Sequence, residues 1–460
     1  MPLKILVTEE REINTINYCL LSILVLAAGV SRRANATNSA SLSGYLANYS
    51  AYFLERERLR HHRYELGLKQ KAKINFQLST YIEGRARFDA ALMPESYAPG
   101  QGMASEVRAD EMAEADLRQA YLSYIGEYVS WTAGTQLIDW VESLSSLIAS
   151  DLTPYDIRHA RFGDGSEIIV PVTGVKANLD LDFLSIEGLI VPFPSYSRAP
   201  KGDNGYGYGE ALSEEASNYA IEMENRGNEH SIKHSEAGLR ILGSIESFEW
   251  TLLAYRGHHK SPIIELVQDN RQRTARLTLT NPRLNTFGLF SSYAGESFVL
   301  RANAIYQPRR RPQVVEIFDD LENDYYEDIT RVGLGYDMVF NRHFKFYTEA
   351  YLIRTDREGA IDFLDPKLLG IEDEYVSVLR VTNESFDDVE FRLDYVHFTP
   401  KKGYLFNPAV LATVFESFKL EAGARLVSAD HDEAPTKIIE NASHIYANLR
   451  WYFAADDAGD

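Results

Sequence analysis

The sequence predicts an all-β fold: a transmembrane antiparallel β-barrel in a bacterial outer membrane. Three observations point to it. An apolar run near the N-terminus has the size of a signal sequence, many short segments alternate in polarity, and short and long polar connections follow one another. The chain holds 28 Tyr and 22 Phe, which suits strands and the aromatic girdles of a membrane barrel. After the first 40 residues no run approaches the roughly 18 apolar residues of a spanning helix.

The apolar run covers Tyr18–Val30, YCLLSILVLAAGV, and is too short to cross a bilayer as a helix. Ala34 and Ala36 supply the small residues expected at a cleavage site. We therefore expect a signal peptide over residues 1–36, a barrel over 37–453 and an acidic tail over 454–460. The alternative is a retained anchor helix.

Composition excludes several classes of site. The single cysteine, Cys19, lies in the expected signal peptide, so the exported chain would have neither a disulfide nor a cysteine metal site. The net charge is −20 and no basic stripe is present, which argues against nucleic acid as a partner. We expect no cofactor and no metal ion.

One strand-like segment, Thr80–Asp89, shows the alternation clearly. One face is apolar or small and the other is charged, because successive side chains of a strand point to opposite faces. In a barrel the apolar face meets lipid and the charged face lines the lumen, whereas in a soluble sandwich the charged face meets water. The predicted pore-lining residues are Glu83, Arg85, Arg87 and Asp89, with the same-parity set Lys69, Lys71 and Lys73. The alternative places these charges at the rim.

About 19 segments qualify as strands, from Tyr45–Leu54 to His444–Phe453, with Thr274–Thr280 among them. Treating some as halves of one strand and others as loop hairpins, we predict about 16 spanning strands, within a range of about 14–18. Short periplasmic turns and long extracellular loops complete the prediction.

The last strand, His444–Phe453, reads HIYANLRWYF. It places Ile445, Ala447, Leu449, Trp451 and Phe453 on one face and Tyr446, Asn448, Arg450 and Tyr452 on the other. The first set would face lipid. The alternative is the buried edge strand of a soluble sheet.

Residues 117–158 carry a family resemblance. They contain an L-R-Q-A-Y strand, then a Gly, Gln and Trp at fixed spacing, then a Pro and an Asp in a turn. The matching positions are Arg118, Tyr121, Gly134, Gln136, Trp140, Pro154 and Asp156. This pattern resembles a Gram-negative outer-membrane barrel family of unassigned function that is distantly related to alginate-export-type porins. The resemblance implies a channel-like barrel of about 14–18 strands, sometimes encoded beside efflux machinery, with no catalytic residues.

The sequence departs from that family at three positions, Thr135, Val141 and Thr153, where Arg, Gly and Asn are usual. If the Arg makes a lumen contact in the relatives, that contact is missing here. Downstream, Leu144–Arg158 has the spacing of a short amphipathic helix, which would either fold inward or remain an external loop. Carboxylates at 319–328 would either hold Ca²⁺ or form a solvated loop.

We therefore expect a porin-like channel or export conduit for small solutes, with a charged lumen and no catalysis, because pore width and lining charge set selectivity. One alternative is a structural or partner-docking barrel with a filled lumen. Another is a barrel hydrolase, for which His343 and His397 are the candidates to pair with a Ser or Asp. The expected partners are outer-membrane lipid, lipopolysaccharide, a small solute and an efflux or export system.

Overall fold

The structure is a computed structural model. It describes residues 40–54, 57–92, 112–140, 152–156, 168–198, 220–225, 232–269, 274–311, 314–318, 326–341, 343–358, 373–386, 388–399, 403–429 and 443–456. The predicted signal peptide, most of Leu144–Arg158 and residues 319–325 of the acidic segment lie outside these ranges.

Eighteen strands form one sheet. They are β1 Ala40–Phe53, β2 Arg58–Lys73, β3 Leu78–Asp89, β4 Ala113–Ile125, β5 Val129–Gln136, β6 Val172–Asp180, β7 Leu184–Phe193, β9 Glu236–Ile245, β10 Phe248–His258, β13 Arg283–Ala294, β14 Phe298–Arg310, β16 Tyr326–Asn341, β17 Phe344–Glu358, β18 Asp373–Phe386, β19 Val389–Thr399, β20 Gly403–Val414, β21 Phe418–Ala429 and β22 His444–Asp456. Four shorter strands, β8 Ala220–Asn225, β11 Ile263–Asp269, β12 Thr274–Thr280 and β15 Val314–Phe318, form a second sheet.

The large sheet closes into a barrel because its last strand pairs with its first. β22 runs antiparallel to β1 from Ser41 opposite Asp456 to Phe53 opposite His444. Each other neighbour in the barrel is also antiparallel, as in the β1–β2 and β21–β22 pairs. A closed barrel leaves no unpaired strand edge, which is what a β-structure in lipid requires.

The prediction of about 16 strands was wrong, because the barrel has 18. The error came from merging candidate segments that are separate spanning strands. Thr274–Thr280 is the one candidate that lies outside the barrel, as β12 of the small sheet. A period of two in polarity is common to barrel strands and to hairpins in loops, so alternation alone does not separate them.

The two ends of the barrel differ in their connections. Tight turns at one end include residues 126–128, 181–183 and 246–247. Connections at the other end are mostly long, such as 137–171 between β5 and β6 and 194–235 between β7 and β9. Outer-membrane barrels have short periplasmic turns and long extracellular loops, so the long connections mark the outer end. The first residues of β1 and the last residues of β22 lie together at the short-turn end.

The small sheet belongs to the outer end. β8 lies between β7 and β9, β11 and β12 lie between β10 and β13, and β15 lies between β14 and β16. β11 and β12 form an antiparallel hairpin, which β15 and β8 extend on either side as parallel strands. Three long connections are therefore joined to one another by backbone hydrogen bonds.

The barrel wall has two distinct faces. On β1 the side chains of Tyr45, Tyr49 and Phe53 are buried in the interior, whereas Leu46 and Tyr52 on the opposite face are exposed. β22 follows the predicted parity, with Tyr446 buried and Ile445, Leu449 and Trp451 exposed. An outer face rich in large apolar side chains fits a lipid environment.

The first and last barrel strands lie near the limits predicted for the barrel, 37–453, and these domain limits stay a prediction. β1 begins at Ala40, and β22 continues to Asp456, three residues into the predicted tail. Among the residues that the structure describes, no helix is both long and apolar enough to span a membrane.

Candidate functional site

Charged side chains on the interior face of β2, β3 and β4 form an ion-pair network, here called the wall cluster, which consists of Glu65, Arg85, Arg87, Glu114 and Asp116. The Arg87 guanidinium lies 3.3 Å from Glu65 Oε2 and 3.2 Å from Glu114 Oε2. Arg85 Nη2 lies 3.2 Å from Asp116 Oδ2. The alternation of β3 places these side chains on one face, and antiparallel pairing brings β4 carboxylates opposite the arginines.

Asp89 lies at the outer end of β3 and joins three consecutive residues of β2. Its Oδ2 is 2.7 Å from His61 Nδ1 and 3.5 Å from an Arg63 nitrogen, and its Oδ1 accepts the backbone N–H of His62 at 2.9 Å. The carboxylate is buried and has several donors around it, which offsets the cost of burying the charge.

The other predicted pore-lining residues lie on the same face, closer to the short turns. Glu83 accepts hydrogen bonds from Tyr81 at 2.9 Å and Gln119 at 3.0 Å, and Lys69 Nζ lies 3.7 Å from it. Lys71 and Lys73 share the parity of Lys69 on β2. The structure thus brings the seven predicted residues to one interior wall.

Arg198 ties a long connection to this wall. The residue lies between β7 and β9, and its Nη1 is 3.1 Å from Glu114 Oε1 and 3.2 Å from Asp116 Oδ1. The same nitrogen lies 3.8 Å from Asp156 Oδ2. We call this group of contacts the Arg198 clasp.

Three inward segments, 152–156, 168–170 and 195–198, are held together by backbone hydrogen bonds. Val170 N–H donates to the Pro154 carbonyl at 2.8 Å, and Arg198 N–H donates to the Tyr155 carbonyl at 2.8 Å. Arg118 on β4 donates to the Ile169 carbonyl at 2.7 Å. Arg118 reaches this segment from a register shift in the β3–β4 pair.

Three of the seven family-motif positions, Arg118, Pro154 and Asp156, meet at these segments. Pro154 and Asp156 lie within segment 152–156 and bond to segment 168–170 through their backbones. Arg118 binds the same segment from β4, whereas Gln136 Nε2 donates to the Gly174 carbonyl at 3.3 Å. Tyr121 stacks on Tyr81, with ring centroids 5.2 Å apart. Gly134 has a φ of 133°, a conformation that favours glycine.

Thr135, one of the three departures from the family pattern, does not face the lumen. Thr135 lies opposite Thr173 on the lipid side of β5 and β6, and their hydroxyl oxygens are 2.8 Å apart. Its interior neighbours are Gly134 and Gln136. An arginine at this position would therefore point away from the lumen in this barrel.

An apolar cluster occupies another part of the interior. Trp140 packs edge-on against Tyr255 in a buried cluster completed by Val172, Leu189, Val191, Leu253, Phe290 and Ile305. Arg240 lies over the Trp140 ring at 5.3 Å. Sequence reasoning placed Trp140 at the end of a strand, whereas β5 ends at Gln136 and Trp140 follows in the inward chain.

Glu236 and Lys260 form a buried ion pair near this cluster. Lys260 Nζ lies 2.6 Å from Glu236 Oε2, and both side chains are 1% exposed. Glu236 also accepts from Tyr255 O–H at 2.7 Å and from His258 N–H at 3.0 Å. Burial lowers the pKa of Lys260, with Glu236 opposing that shift, and burial together with Glu236 raises the pKa of Tyr196 to about 12. Sequence reasoning missed this pair.

The interior also contains a cavity of about 380 Å³ along β18–β22. Its lining includes the basic residues Arg392, Lys419, Arg425 and Arg450, and the acidic residues Glu384, Asp388, Glu390 and Glu421. Three of the cations lie over tyrosine rings: Lys419 over Tyr452, Arg425 over Tyr446 and Arg450 over Tyr45, at 5.5, 4.7 and 4.7 Å. Alternation along β21 is the sequence signal that would have found this set.

The two histidines proposed for catalysis lie elsewhere. His343 is in a short turn, where its Nδ1 is 2.9 Å from the Glu384 carbonyl oxygen. His397 is on the outer face of β19, stacked on Tyr395. The described ranges contain no group of three or more His, Cys, Asp or Glu side chains arranged to hold a metal ion.

No family model matches the chain, and no curated protein matches it. Its barrel is similar to solved structures from Gram-negative bacteria. OccAB2 of Acinetobacter baumannii has 9% identity and a TM-score of 0.52, covering 92% of this chain and 100% of its own. OpdK of Pseudomonas aeruginosa, solved with vanillate, has 9% identity and a TM-score of 0.52, covering 91% of this chain and 99% of its own.

The chain has the fold of a porin-type outer-membrane β-barrel. Its closed sheet, apolar exterior and unequal ends place it in a bacterial outer membrane. At this level of identity the likeness establishes the fold alone. The relationship to alginate-export-type porins stays a prediction.

Proposed function

We propose that the protein is a porin-like conduit for small polar solutes across the outer membrane. Solutes pass through its lumen, and the lumen catalyses no reaction. The supporting observation is the cavity on β18–β22, where basic and acidic side chains line the same space. A polar solute that leaves water needs donors and acceptors along its path, and lining charges then set which solutes pass.

The cation–π contacts support this proposal. They hold Lys419, Arg425 and Arg450 against the wall instead of across the lumen. Arg392 is held in a similar way by Glu421, at 2.9 Å. Cationic groups fixed at the wall provide charge while leaving the space between them free for a solute.

The wall cluster, with Glu83 and the lysines Lys69, Lys71 and Lys73, is proposed as a neighbouring lining of the same conduit, because only β1 separates β2 from β22. The solved structure of OpdK with vanillate is an example of this fold with a small aromatic acid. We further propose that lipid and lipopolysaccharide surround the outer face, and that an efflux or export system is the partner at the short-turn end.

The filled-lumen alternative has its own support. The apolar cluster around Trp140 and the Arg198 clasp occupy interior volume that a wide pore would leave open. In that case the barrel would act as a structural or docking platform.

Single-channel recording in planar bilayers separates the two proposals. A conduit gives discrete conductance steps from protein purified as a folded, heat-modifiable barrel. A folded barrel that inserts, as shown by protease protection in vesicles, yet gives no steps would overturn the conduit proposal and favour the filled lumen.

A further inference from the structure

A serine and a histidine face each other on the outer surface of the barrel. Ser50 of β1 and His62 of β2 are directly opposite in the antiparallel register. Ser50 Oγ lies 2.9 Å from His62 Nδ1. The interior charges described above have no part in this contact, because Ser50 and His62 have the parity of the lipid-facing residues Leu46, Tyr52 and Tyr64.

The histidine is oriented by a third group. His62 Nε2 lies 2.8 Å from the Tyr64 hydroxyl, and the two rings meet edge to face with centroids 5.0 Å apart. A proton on Nε2 donated to Tyr64 leaves Nδ1 as an acceptor for the Ser50 hydroxyl. A nucleophile, a base within hydrogen-bond reach and a group that orients the base form the pattern of an activated serine.

The backbone around His62 is also fixed. Its N–H donates to Asp89 Oδ1 at 2.9 Å, where β3 ends and the β1–β2 register shifts. Asn48, two residues before Ser50 on the same face, lies 3.5 Å from Ser50 Oγ through its side-chain oxygen. Its amide nitrogen donates to the Arg63 carbonyl at 3.5 Å, and side-chain amides serve as oxyanion donors in other hydrolases.

The location indicates the substrate. Ser50 is three residues from the outer end of β1, and Tyr52 and Tyr64 flank it, exposed by 39% and 50%. Exterior tyrosines near the strand ends mark the level of lipid headgroups. The ester bonds of membrane lipids lie at this level, between the polar headgroup and the hydrocarbon.

An apolar groove of about 720 Å³ lies on the outer face next to this site. Its lining includes Asn48 and Tyr64, which neighbour Ser50 and His62 on their own strands, and the apolar residues Leu46, Leu66, Leu449 and Trp451. The groove is continuous with the lipid-facing surface, so its occupant is an acyl chain. An acyl chain in this groove would have its ester end beside Asn48, two residues from Ser50 on the same face.

We propose that Ser50 and His62 form a catalytic dyad that hydrolyses acyl esters of outer-membrane lipids, with Tyr64 as a positioning residue. Ser50 Oγ attacks the ester carbonyl while His62 Nδ1 takes its proton, and the proton passes to the departing alkoxide of the lipid. Water then attacks the acyl-Ser50 ester while His62 takes a proton from it, and His62 returns that proton to Ser50 Oγ as the fatty acid leaves, which restores the hydroxyl. The activity is independent of the proposed solute conduit.

The test uses the full-length protein purified from membranes in detergent. Fatty-acid release is measured by mass spectrometry from mixed micelles of phosphatidylethanolamine and, in a second arm, from lipopolysaccharide, so the two arms identify which lipid supplies the ester. We expect Ser50→Ala and His62→Asn each to lower the rate by at least about 100-fold. Tyr64→Phe should lower kcat without raising KM.

Ser377 provides the matched control. It lies opposite His397 on the outer face of β18 and β19, as Ser50 lies opposite His62. In the described residues, however, the His397 ring nitrogen Nδ1 is hydrogen-bonded to the Tyr395 hydroxyl, at 3.5 Å. Ser377→Ala should leave the rate unchanged. Equal rates in wild type and Ser50→Ala, or an equal loss in Ser377→Ala, would overturn the proposal.

A second measurement does not depend on the variants folding. Wild-type protein is treated with a long-chain fluorophosphonate and the modified residue is mapped by peptide mass spectrometry. We expect the adduct on Ser50, and an unmodified Ser50 contradicts the dyad. Single-channel conductance of Ser50→Ala should match wild type, so failure of the conduit and failure of the dyad are distinguishable.

Discussion

Arg198 Nη1 lies 3.1 Å from Glu114 Oε1, so a residue of a long connection is joined to the wall strand β4 across 84 positions of sequence. The same nitrogen is 3.2 Å from Asp116 Oδ1. The Arg198 side chain is 39% exposed, so the contact is that of a partly solvated ion pair. Its contribution to the free energy of unfolding is modest, about 1 kcal/mol or less. The ion pair matters because it holds the segment 195–198 against the interior wall at β4.

Arg198→Ala should release the inward segment from the wall. We expect larger or noisier single-channel conductance, because the segment no longer stays at one position in the lumen. Arg354→Ala is the control, since Arg354 pairs with Asp356 at 3.1 Å and both side chains are largely exposed. A conductance trace of Arg198→Ala indistinguishable from wild type would show that the clasp does not restrict the lumen.

Lys260→Met should destabilise the barrel strongly. The substitution leaves Glu236 buried without its cationic partner, at a cost of about 3–5 kcal/mol. Urea unfolding from lipid vesicles measures the change. Lys69→Met is the control, because Lys69 is 42% exposed and lies 3.7 Å from Glu83, and its loss should cost about 1 kcal/mol or less. Equal effects of the two substitutions would contradict the importance of burial.

Gly238→Ala tests the packing of the apolar cluster. A Cβ at this position would press against the Trp140 ring, so we expect a loss of about 1–3 kcal/mol in the free energy of unfolding. Gly188→Ala on β7 is the comparison, because nothing lies within 4 Å of the Cβ that it would add. The difference in urea midpoint between the two variants is the measured quantity, and its absence would show that the cluster can repack.

The double variant Arg425→Gln/Arg450→Gln should shift ion selectivity toward cations. It removes two positive charges from the lining of the β18–β22 cavity and leaves the carboxylates there in excess. The reversal potential in a KCl gradient reports the change. Arg354→Gln alters a charge on the outer face and should leave this potential unchanged. An unshifted potential in the double variant would place the ion path away from the cavity.

Much of the wall could be predicted from the sequence. The parities expected for β3 and β22 are those of the structure: Arg85 and Tyr446 are buried inside, and Leu449 and Trp451 are exposed outside. This follows because alternation is a local property of an extended chain. The number of strands could not be obtained in this way, since Thr274–Thr280 alternates as a barrel strand does but pairs with loop strands.

The residues of the candidate sites were also predicted from the sequence only in part. The wall-cluster arginines were predicted from one segment, but their carboxylate partners on β4 depend on a register that shifts beside Glu83. The pair of Glu236 and Lys260 and the dyad of Ser50 and His62 gave no signal in the sequence. Ser50 precedes His62 by 12 residues, and only the pairing of β1 with β2 brings the two side chains together.

The sequence by itself determined the class of fold and the two faces of each strand, because polarity repeats every two residues wherever an extended chain separates lipid from a polar interior. Only the tertiary structure decided closure at 18 strands, the inward path of the chain after β5, and which charges meet. Those features depend on pairing between residues far apart in the chain. Strand register sets that pairing, and a shift of one residue would exchange the two faces.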